Sequence, residues 1–284
     1  MRAATCSCPK ARCRAVHCCV GRCCSSGRRA GRAYDAAVTT PSAHARSQYA
    51  ATTGNLAARI AIYDYRTNPQ DWYSWVGERL PRDGRVVEVG AGTGALWNQV
   101  QAPAGLTLVD FSPAMCDGLR AVAVAEAGVV RGSATELPFT GGSFDGLIAN
   151  HMLYHLDDPK AGLREFARVL RGGGRLAVSV NGRDHLAEID ALLPKKRSVL
   201  NDVSAENIAS YVGRFFDDVV VERYPCELAI PNAEPVLRYL ASRNPAALTA
   251  QVTASIREVV AAKVAAEGAF HVRQHAVLVT ATAR

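Results

Sequence analysis

Residues Val86–Leu96 of the 284-residue chain read VVEVGAGTGAL. The β-branched run predicts a strand, and the glycines after it predict a tight turn into a helix. Glycine lets the backbone turn sharply and lets a ligand approach where a Cβ would otherwise stand. Asp110 ends the next predicted strand, 20 residues after Gly90. A carboxylate at this position can accept hydrogen bonds from both hydroxyl groups of a ribose. The stretch therefore predicts an α/β domain with a ligand site at the end of its first strand.

Short apolar runs alternate with helical patterns on both sides of this turn. The predicted strands are Arg85–Val89, Leu106–Asp110, Val129–Arg131, Phe144–Ala149 and Arg175–Val180. The predicted helices lie near Leu96–Gln101, Pro113–Ala127 and Pro159–Leu170. Such alternation is typical of a parallel sheet covered on both faces. Gly172–Gly174 is predicted to end the last of these helices.

Other segments are predicted to form a cap. Residues 42–65 and Trp72–Leu80 have helical spacing, and so do 183–214 and 233–267. Val219–Ile230 and Phe270–Thr282 are predicted as two further strands. We expect one domain over 38–284, with cap segments 38–80, 183–214 and 232–268. These would lie over the carboxyl edge of the sheet, where ligands bind in open α/β folds.

A glycine-rich turn alone does not identify the ligand. Gly90-x-Gly92-x-x-Ala95 also fits a relaxed dinucleotide-binding pattern, so a nicotinamide or flavin enzyme is an alternative. Three further blocks argue against it: Leu108–Met115 (LVDFSPAM), Gly132–Phe139 (GSATELPF), and the stretch from Ser143-Phe144-Asp145 through Asn150 to His155–Pro159 (HLDDP).

In their order and spacing, the four blocks resemble class I S-adenosylmethionine-dependent methyltransferases. The resemblance is to the ubiquinone/menaquinone-biosynthesis-like (methyltransferase type 11) group in particular. It implies a Rossmann-like α/β fold, with a mostly parallel seven-stranded sheet, an antiparallel last strand matching Ala276–Thr282, and a helical cap. Ordinary dinucleotide enzymes lack the Leu137–Phe139 block and this ending. S-adenosyl-L-methionine is the cofactor that the resemblance implies.

The resemblance also implies roles for individual residues. Glu88 would orient the glycine loop or the cofactor's amino group, and Asp110 would hold the ribose. The other positions would surround the cofactor: Gly90, Ala91, Gly92 and Gly94 beside the methionine portion, Phe111 and Met115 flanking the adenine, Ser133 and Ala134 at the adenine edge, and Asn150 beside the amino-acid end. Taken singly, Glu88 and Asp110 also fit purely structural roles, bracing the loop and ending a strand.

Two features of the site are less well defined by the sequence. The family usually has an acid where Ser133 stands, and a hydroxyl accepts a hydrogen bond more weakly than a carboxylate. A general base is needed only when the acceptor keeps its proton until late. His155 is the first candidate and His151 the second, because imidazole has a free pKa of about 6.5. Both fit an alternative role in packing the loop after the fourth strand, and Trp72, Trp75 and Trp97 are interpreted as packing residues.

The charge of the chain argues against a nucleic-acid partner. The formal net charge is +7, but residues 1–37 hold eight basic residues and one acid, which accounts for the whole excess. Residues 38–284 carry no net charge, whereas a protein that binds many phosphates needs a surplus of basic residues. The leading hypothesis is a methyltransferase acting on a small molecule, such as a secondary metabolite or a quinone-like acceptor. A nucleic-acid or protein methyltransferase and a non-catalytic cofactor binder are the alternatives.

The first 37 residues differ from the rest in composition. Seven of the nine cysteines lie within the first 24 residues, without a C-x₂-C pair, so we predict no metal site there. We interpret 1–37 as a disordered or non-native extension, with Val38 as the first residue of the folded domain. No apolar run reaches the roughly 20 residues of a membrane span, and no secretory signal is recognised. We expect a cytoplasmic protein with no membrane partner; a homodimer is left open.

Overall fold

The computed structural model describes residues 40–49, 54–121, 127–194 and 202–284. The chain divides into Met1–Val38 and Thr39–Arg284, and the description below concerns the second unit. The predicted extension, 1–37, lies outside the described residues, so its interpretation remains a prediction.

Seven strands of the described residues form one sheet in the order β3-β2-β1-β4-β5-β9-β6. They are β1 Arg85–Val89, β2 Gly105–Asp110, β3 Gly128–Arg131, β4 Phe144–Asn150, β5 Leu170–Asn181, β6 Phe216–Arg223 and β9 Ala276–Ala283. Strands β1 to β5 pair in parallel, whereas β9 runs antiparallel to both β5 and β6. The predicted fold class, including its antiparallel last strand, is confirmed. The carboxyl ends of β1, β2, β4 and β5 therefore share one edge.

Helices cover the sheet and build the cap. They are α1 Pro41–Tyr49, α2 Gly54–Ile60, α3 Trp72–Gly77, α4 Pro113–Ala121, α5 Pro159–Val169, α6 Ala187–Asp190, α7 Ile208–Val212, α8 Ala233–Arg243 and α9 Ala250–Glu267. The side chain of Asp71 accepts from the backbone N–H groups of Tyr73 and Ser74, which fixes the start of α3. No helix in these ranges is long and apolar enough to cross a bilayer.

Three apolar clusters hold these layers together. On one face of the sheet, α5 and α7 pack against the strands through Phe166, Leu163 and Val212. On the other face, Trp72 and Trp75 of α3 pack with Tyr224 and the central strands. The third cluster belongs to the cap and joins Ile62 to α8 and α9. The face that carries α3 leads to the candidate site.

Both long C-terminal strand predictions were wrong in one respect. Val219–Ile230 is two strands, β6 and β7 (Cys226–Ile230), separated at Pro225. Proline has no N–H for the ladder, so the chain leaves the main sheet there. Phe270–Thr282 likewise divides at His275 into β8 (Phe270–Gln274) and β9. Strands β7 and β8 form a separate two-stranded ribbon, and Leu228 and Val272 on it pack into the cap.

Two smaller boundaries also differ. Gly172–Gly174 lies inside β5 rather than beyond the end of a helix, because α5 ends at Val169 and Leu170 already pairs with Phe144. The register between β4 and β5 shifts after this pair, so the glycines accommodate an irregularity of the ladder. The helix predicted near Leu96–Gln101 is only a 3₁₀ turn, Ala95–Asn98.

Candidate functional site

The glycine loop after β1 is tied to β2 by its backbone. The N–H groups of Gly90 and Ala91 both donate to the Val109 carbonyl, at 2.8 and 3.1 Å. Gly90, Gly92 and Gly94 have φ angles of 76°, 58° and 73°, in the left-handed region that favours glycine. A Cβ on Gly90 would also lie 2.7 Å from the Cβ of Met152. The loop therefore requires glycine for both conformation and space.

Gly92 has room for a Cβ but requires glycine for its backbone conformation. A Cβ built there would lie 3.7 Å from Leu56 Cδ2 and 4.0 Å from the Gly90 carbonyl oxygen, with no described atom nearer. Glycine also keeps side-chain bulk away from the turn, where the resemblance predicts that the cofactor passes.

Asp110 faces the same loop from the end of β2. Its carboxylate accepts from the Gly92 N–H at 2.9 Å and from the Ser112 N–H at 2.9 Å. Burial raises the pKa of this carboxyl, and its backbone hydrogen bonds oppose the rise. Each oxygen keeps a lone pair for a further donor, because a carboxylate accepts about four hydrogen bonds. Asp110 is therefore positioned to accept from a ligand that lies along the glycine loop.

Glu88 is more deeply buried than Asp110 and is held by a tryptophan. The Trp97 indole N–H donates to Glu88 Oε2 at 2.5 Å, and Glu88 is 2% exposed. Burial raises the pKa of this carboxyl to about 8. Trp97 packs as predicted, but its hydrogen bond to Glu88 was missed because nothing in the nine-residue separation signals it. Trp97 fixes the acid that underlies the glycine loop.

The predicted adenine contacts divide into exposed and buried positions. Phe111 is 39% exposed and presents its ring beside the end of β2. Met115 and Ala134 are buried, so they can contact a ligand only with the atoms at their surface. Ser133 is exposed, and its hydroxyl shares a 2.9 Å hydrogen bond with the hydroxyl of Thr135. Phe111 is accordingly the best-placed stacking surface of the four.

Asn150, at the end of β4, is held by two donors. Its Oδ1 accepts from the Ser179 hydroxyl on β5 and from the Trp72 indole N–H at 3.4 Å. This leaves the amide N–H₂ group to donate outward. Sequence reasoning missed Ser179, whose position in an apolar strand resembles that of any small residue, and it assigned Trp72 to packing alone.

His151 follows Asn150 with a strained backbone. Its φ of 52° is unusual for a residue other than glycine, and its N–H donates to the Ser179 hydroxyl at 3.0 Å. The imidazole lies 4.9 Å from the Trp72 ring, centre to centre, and its buried Nδ1 has no hydrogen-bond partner among the described residues. Burial, and secondarily the charge of His155, lower the pKa of His151 to about 4. The ring is therefore neutral at physiological pH.

His155 lies in the 3₁₀ turn Leu153–His155 and is half-buried. Its ring meets the edge of Tyr154 at 4.7 Å between centroids. Two residues later, the Asp157 carboxylate accepts from the N–H and hydroxyl of Ser42, at 2.9 and 2.6 Å, at the start of α1. Both predicted histidines thus lie on the loop after β4, with α1 attached beside His155.

A possible metal-ligand set lies outside the loop that follows β4. Among the described residues, ligand atoms of Asp184, Glu206 and His275 lie within 4.8 Å of one another. Asp184 already contacts the His275 ring and accepts from the Arg273 guanidinium at 2.8 Å. The cluster is explained by these ion pairs, and we assign no metal to it.

Known proteins resemble the chain in the same region. Residues 87–178 match a family described as a methyltransferase domain. An uncharacterized methyltransferase of Mycobacterium tuberculosis is 40% identical over 117 residues, covering 41% of this chain and 46% of that protein. An O-methyltransferase of Aspergillus sclerotiorum is 35% identical over 113 residues (37% and 43%). A demethylmenaquinone methyltransferase of Mycolicibacterium vanbaalenii is 39% identical over 101 residues (35% and 43%). The matched stretch thus spans less than half the length of these relatives.

Solved structures resemble the fold over more of the chain. A Thermotoga maritima structure, described as a SAM-dependent methyltransferase and possible histamine N-methyltransferase, has a TM-score of 0.53 at 18% identity, covering 84% of this chain and all of that one. A phosphoethanolamine N-methyltransferase of Haemonchus contortus, solved with S-adenosylhomocysteine, has a TM-score of 0.53 at 16% identity, covering 86% and 60%. These likenesses confirm the fold, and the family match over residues 87–178 bears out the resemblance that the sequence blocks indicate. The matched region is a methyltransferase domain, and S-adenosylmethionine is the cofactor of this class.

Proposed function

We propose that the chain is an S-adenosylmethionine-dependent methyltransferase that acts on a small molecule. The observation that carries the proposal is the pairing of the left-handed glycine turn at Gly92 with the Asp110 carboxylate, 2.9 Å from its N–H. A glycine turn without a carboxylate at the next strand end would be a far weaker signal. The matched methyltransferase domain, residues 87–178, includes both residues.

The cofactor would lie across the ends of β1, β2 and β4. Glu88 and the loop Gly90, Ala91, Gly92 and Gly94 would hold its methionine portion, with the Asn150 amide donating at the amino-acid end. Asp110 would accept from the ribose. Phe111 would stack on the adenine, with Met115, Ser133 and Ala134 around its edge. When bound, the cofactor supplies a methyl group activated by its sulfonium centre.

The protein then has to place an acceptor atom in line and exclude water. His151 stays neutral at physiological pH, so it adds no positive charge beside a cationic sulfonium. A base with a pKa near 4 is also a poor proton acceptor for a phenol or alcohol. His155 is therefore the first candidate for a general base where the acceptor must lose a proton, and His151 is better suited to orienting the acceptor.

A small-molecule acceptor is favoured over a macromolecule by charge. Residues 38–284 hold as many acidic as basic residues, whereas binding to many phosphates requires a basic surplus. Relatives named as an O-methyltransferase and a demethylmenaquinone methyltransferase are consistent with a secondary-metabolite or quinone-like acceptor. A cytoplasmic location is a further part of the proposal, and whether the protein forms a homodimer is left open.

Calorimetry and an activity screen test the proposal separately. One-site binding of S-adenosylhomocysteine, tighter than that of a nicotinamide cofactor, is expected. Release of S-adenosylhomocysteine from S-adenosylmethionine, dependent on an added metabolite, would then identify the acceptor. Tight binding without turnover across a broad panel would favour the non-catalytic alternative. Sequence-selective retention on RNA at physiological salt would instead favour the nucleic-acid alternative.

A further inference from the structure

The face of β5 that points towards α3 carries a second, unassigned polar group. Ala177 packs in the cluster of Trp72 and Tyr224, and side chains alternate along a strand. Ser179 and Asn181 therefore point to the same side, towards the carboxyl edge. Ser179 is used to hold Asn150, as described above. Asn181 is not: its buried Oδ1 has no hydrogen-bond partner among the described residues.

A second buried amide whose oxygen lacks a described hydrogen-bond partner lies on the ribbon of β7 and β8. Gln274 pairs with Cys226, and cross-strand partners share a face. Cys226 packs with Trp72 and Tyr224, so Gln274 lies on the side of the α3 cluster. Gln274 is only 4% exposed, and its buried Oε1 also lacks a described partner. Its amide nitrogen makes no hydrogen bond to a described residue either.

The two amides lie next to each other. Asn181 pairs with Ala276, and the Gly182 N–H donates to the His275 carbonyl at 2.9 Å. Gln274 lies two residues before Ala276, so the backbones of Asn181 and Gln274 are close, although β8 leaves the main sheet at His275. Side chains of this length can converge on one small group between them.

His151 adds a third unpartnered polar atom to this region. Its ring packs on Trp72, and its main chain is held by Ser179, two residues before Asn181. Buried polar groups are costly to leave without partners, so several in one place indicate a polar ligand. An apolar ligand face could satisfy none of them.

We propose that Asn181 and Gln274 bind the methyl acceptor, and that the acceptor carries two neighbouring hydroxyl or amino groups. Such groups both donate and accept, so they can satisfy each amide in either orientation. The acceptor would lie beside the ends of β4 and β5, with His151 facing it. This inference rests on the proposed function, because it assumes that the carboxyl edge receives a methyl acceptor.

Two probes of the same shape test it. Catechol has two neighbouring hydroxyl groups, and o-xylene has methyl groups in their place. Dissociation constants for both would be measured by NMR titration on the full chain saturated with S-adenosylhomocysteine. We expect wild type to prefer catechol by on the order of tenfold for each hydrogen bond. The preference should shrink in Asn181→Leu and in Gln274→Met and be lost in the double variant, while S-adenosylhomocysteine binds as in wild type.

Gln101→Met, at an exposed loop position, is the matched control and should keep the preference. The melting temperature of Gln274→Met should stay level or rise, because the change removes an unpaired buried amide. Equal binding of the two probes to wild type, an unchanged preference in the double variant, or a sharp fall in that melting temperature would each overturn the inference. If these occur while S-adenosylhomocysteine still binds, the proposed function stands. Loss of S-adenosylhomocysteine binding in wild type would remove both.

Discussion

The cofactor half and the acceptor half of the carboxyl edge differ in how completely their polar groups are paired. At the ends of β1 and β2, Glu88 is held by Trp97, and Asp110 by two backbone N–H groups. At the ends of β4 and β5, Asn181 and His151 have buried polar atoms without described partners. If the proposed sites are right, the first half is organised before its ligand arrives, whereas the second half is completed by its ligand. A cofactor common to many enzymes suits the former, and an acceptor particular to one enzyme suits the latter.

The largest effect is expected in the cofactor half. Gly92→Val should abolish binding of S-adenosylhomocysteine, lowering affinity by more than about 100-fold, because a branched side chain at φ 58° strains the loop and enters the ligand path. Calorimetry gives the affinity. Gly118→Ala is the control: its Cβ would meet no described atom within 4 Å, and alanine favours a helix by about 1 kcal/mol. Normal affinity in Gly92→Val would show that the loop does not contact the cofactor.

His155→Ala is the corresponding change in the acceptor half. For an acceptor that must lose a proton, it should lower kcat by about 10²–10⁴-fold, with cofactor affinity nearly intact. His151→Ala should cost less in kcat, because the pKa of His151, lowered to about 4, leaves it a weak base. For the same reason, His151 should contribute no titration to the kcat profile between pH 6 and 8. Near-normal turnover in His155→Ala would exclude His155 as the base. Reduced cofactor affinity in this variant would show that the two halves are not independent.

Substitutions of Asp110 test how much its carboxylate contributes to cofactor affinity. Asp110→Ala should weaken S-adenosylhomocysteine binding by about 10–100-fold, the range for a hydrogen bond to a charged group. Asp110→Asn should weaken it less, because one carbonyl oxygen still accepts. Asp117→Ala removes an exposed acid from α4 and should bind normally in the same calorimetric series. Equal affinity of Asp110→Ala and wild type would mean that Asp110 only supports the turn.

The last effect concerns Glu88, and it changes the stability of the fold with pH rather than the affinity for a ligand. Burial raises its pKa in the folded state to about 8, above the ordinary value of 4.5 for a glutamic acid. The folded state therefore binds more protons between these values, and the stabilisation from Glu88 is lost as pH rises from about 4.5 to 8. Relative to Glu88→Gln, wild type should lose unfolding free energy by on the order of 1 kcal/mol per pH unit. Urea unfolding at pH 5 and pH 8 measures this, and parallel pH dependence of the two proteins would contradict it.

The same contrast explains what could be predicted from sequence. The cofactor half is built from Glu88, the glycine loop and Asp110, which lie within 23 residues of one another, so their spacing shows in the sequence. The acceptor half joins Trp72, His151, Asn181 and Gln274, which are far apart in the chain and meet only through the fold. Nothing local marks Asn181 or Gln274 as different from other amides. The strand break at Pro225 could have been predicted, because proline is disfavoured within a ladder.

The position of β9 has a consequence for how the protein is made. Strand β6 ends at Arg223 and β9 begins only at Ala276, yet β9 lies between β5 and β6 in the sheet. As the chain leaves the ribosome, β5 and β6 therefore emerge without the strand that joins them. Both present unpaired backbone to solvent until β9 is synthesised, and open strand edges promote association with other chains. The nascent chain accordingly has a vulnerable interval that ends only when Ala276–Ala283 is released and inserts.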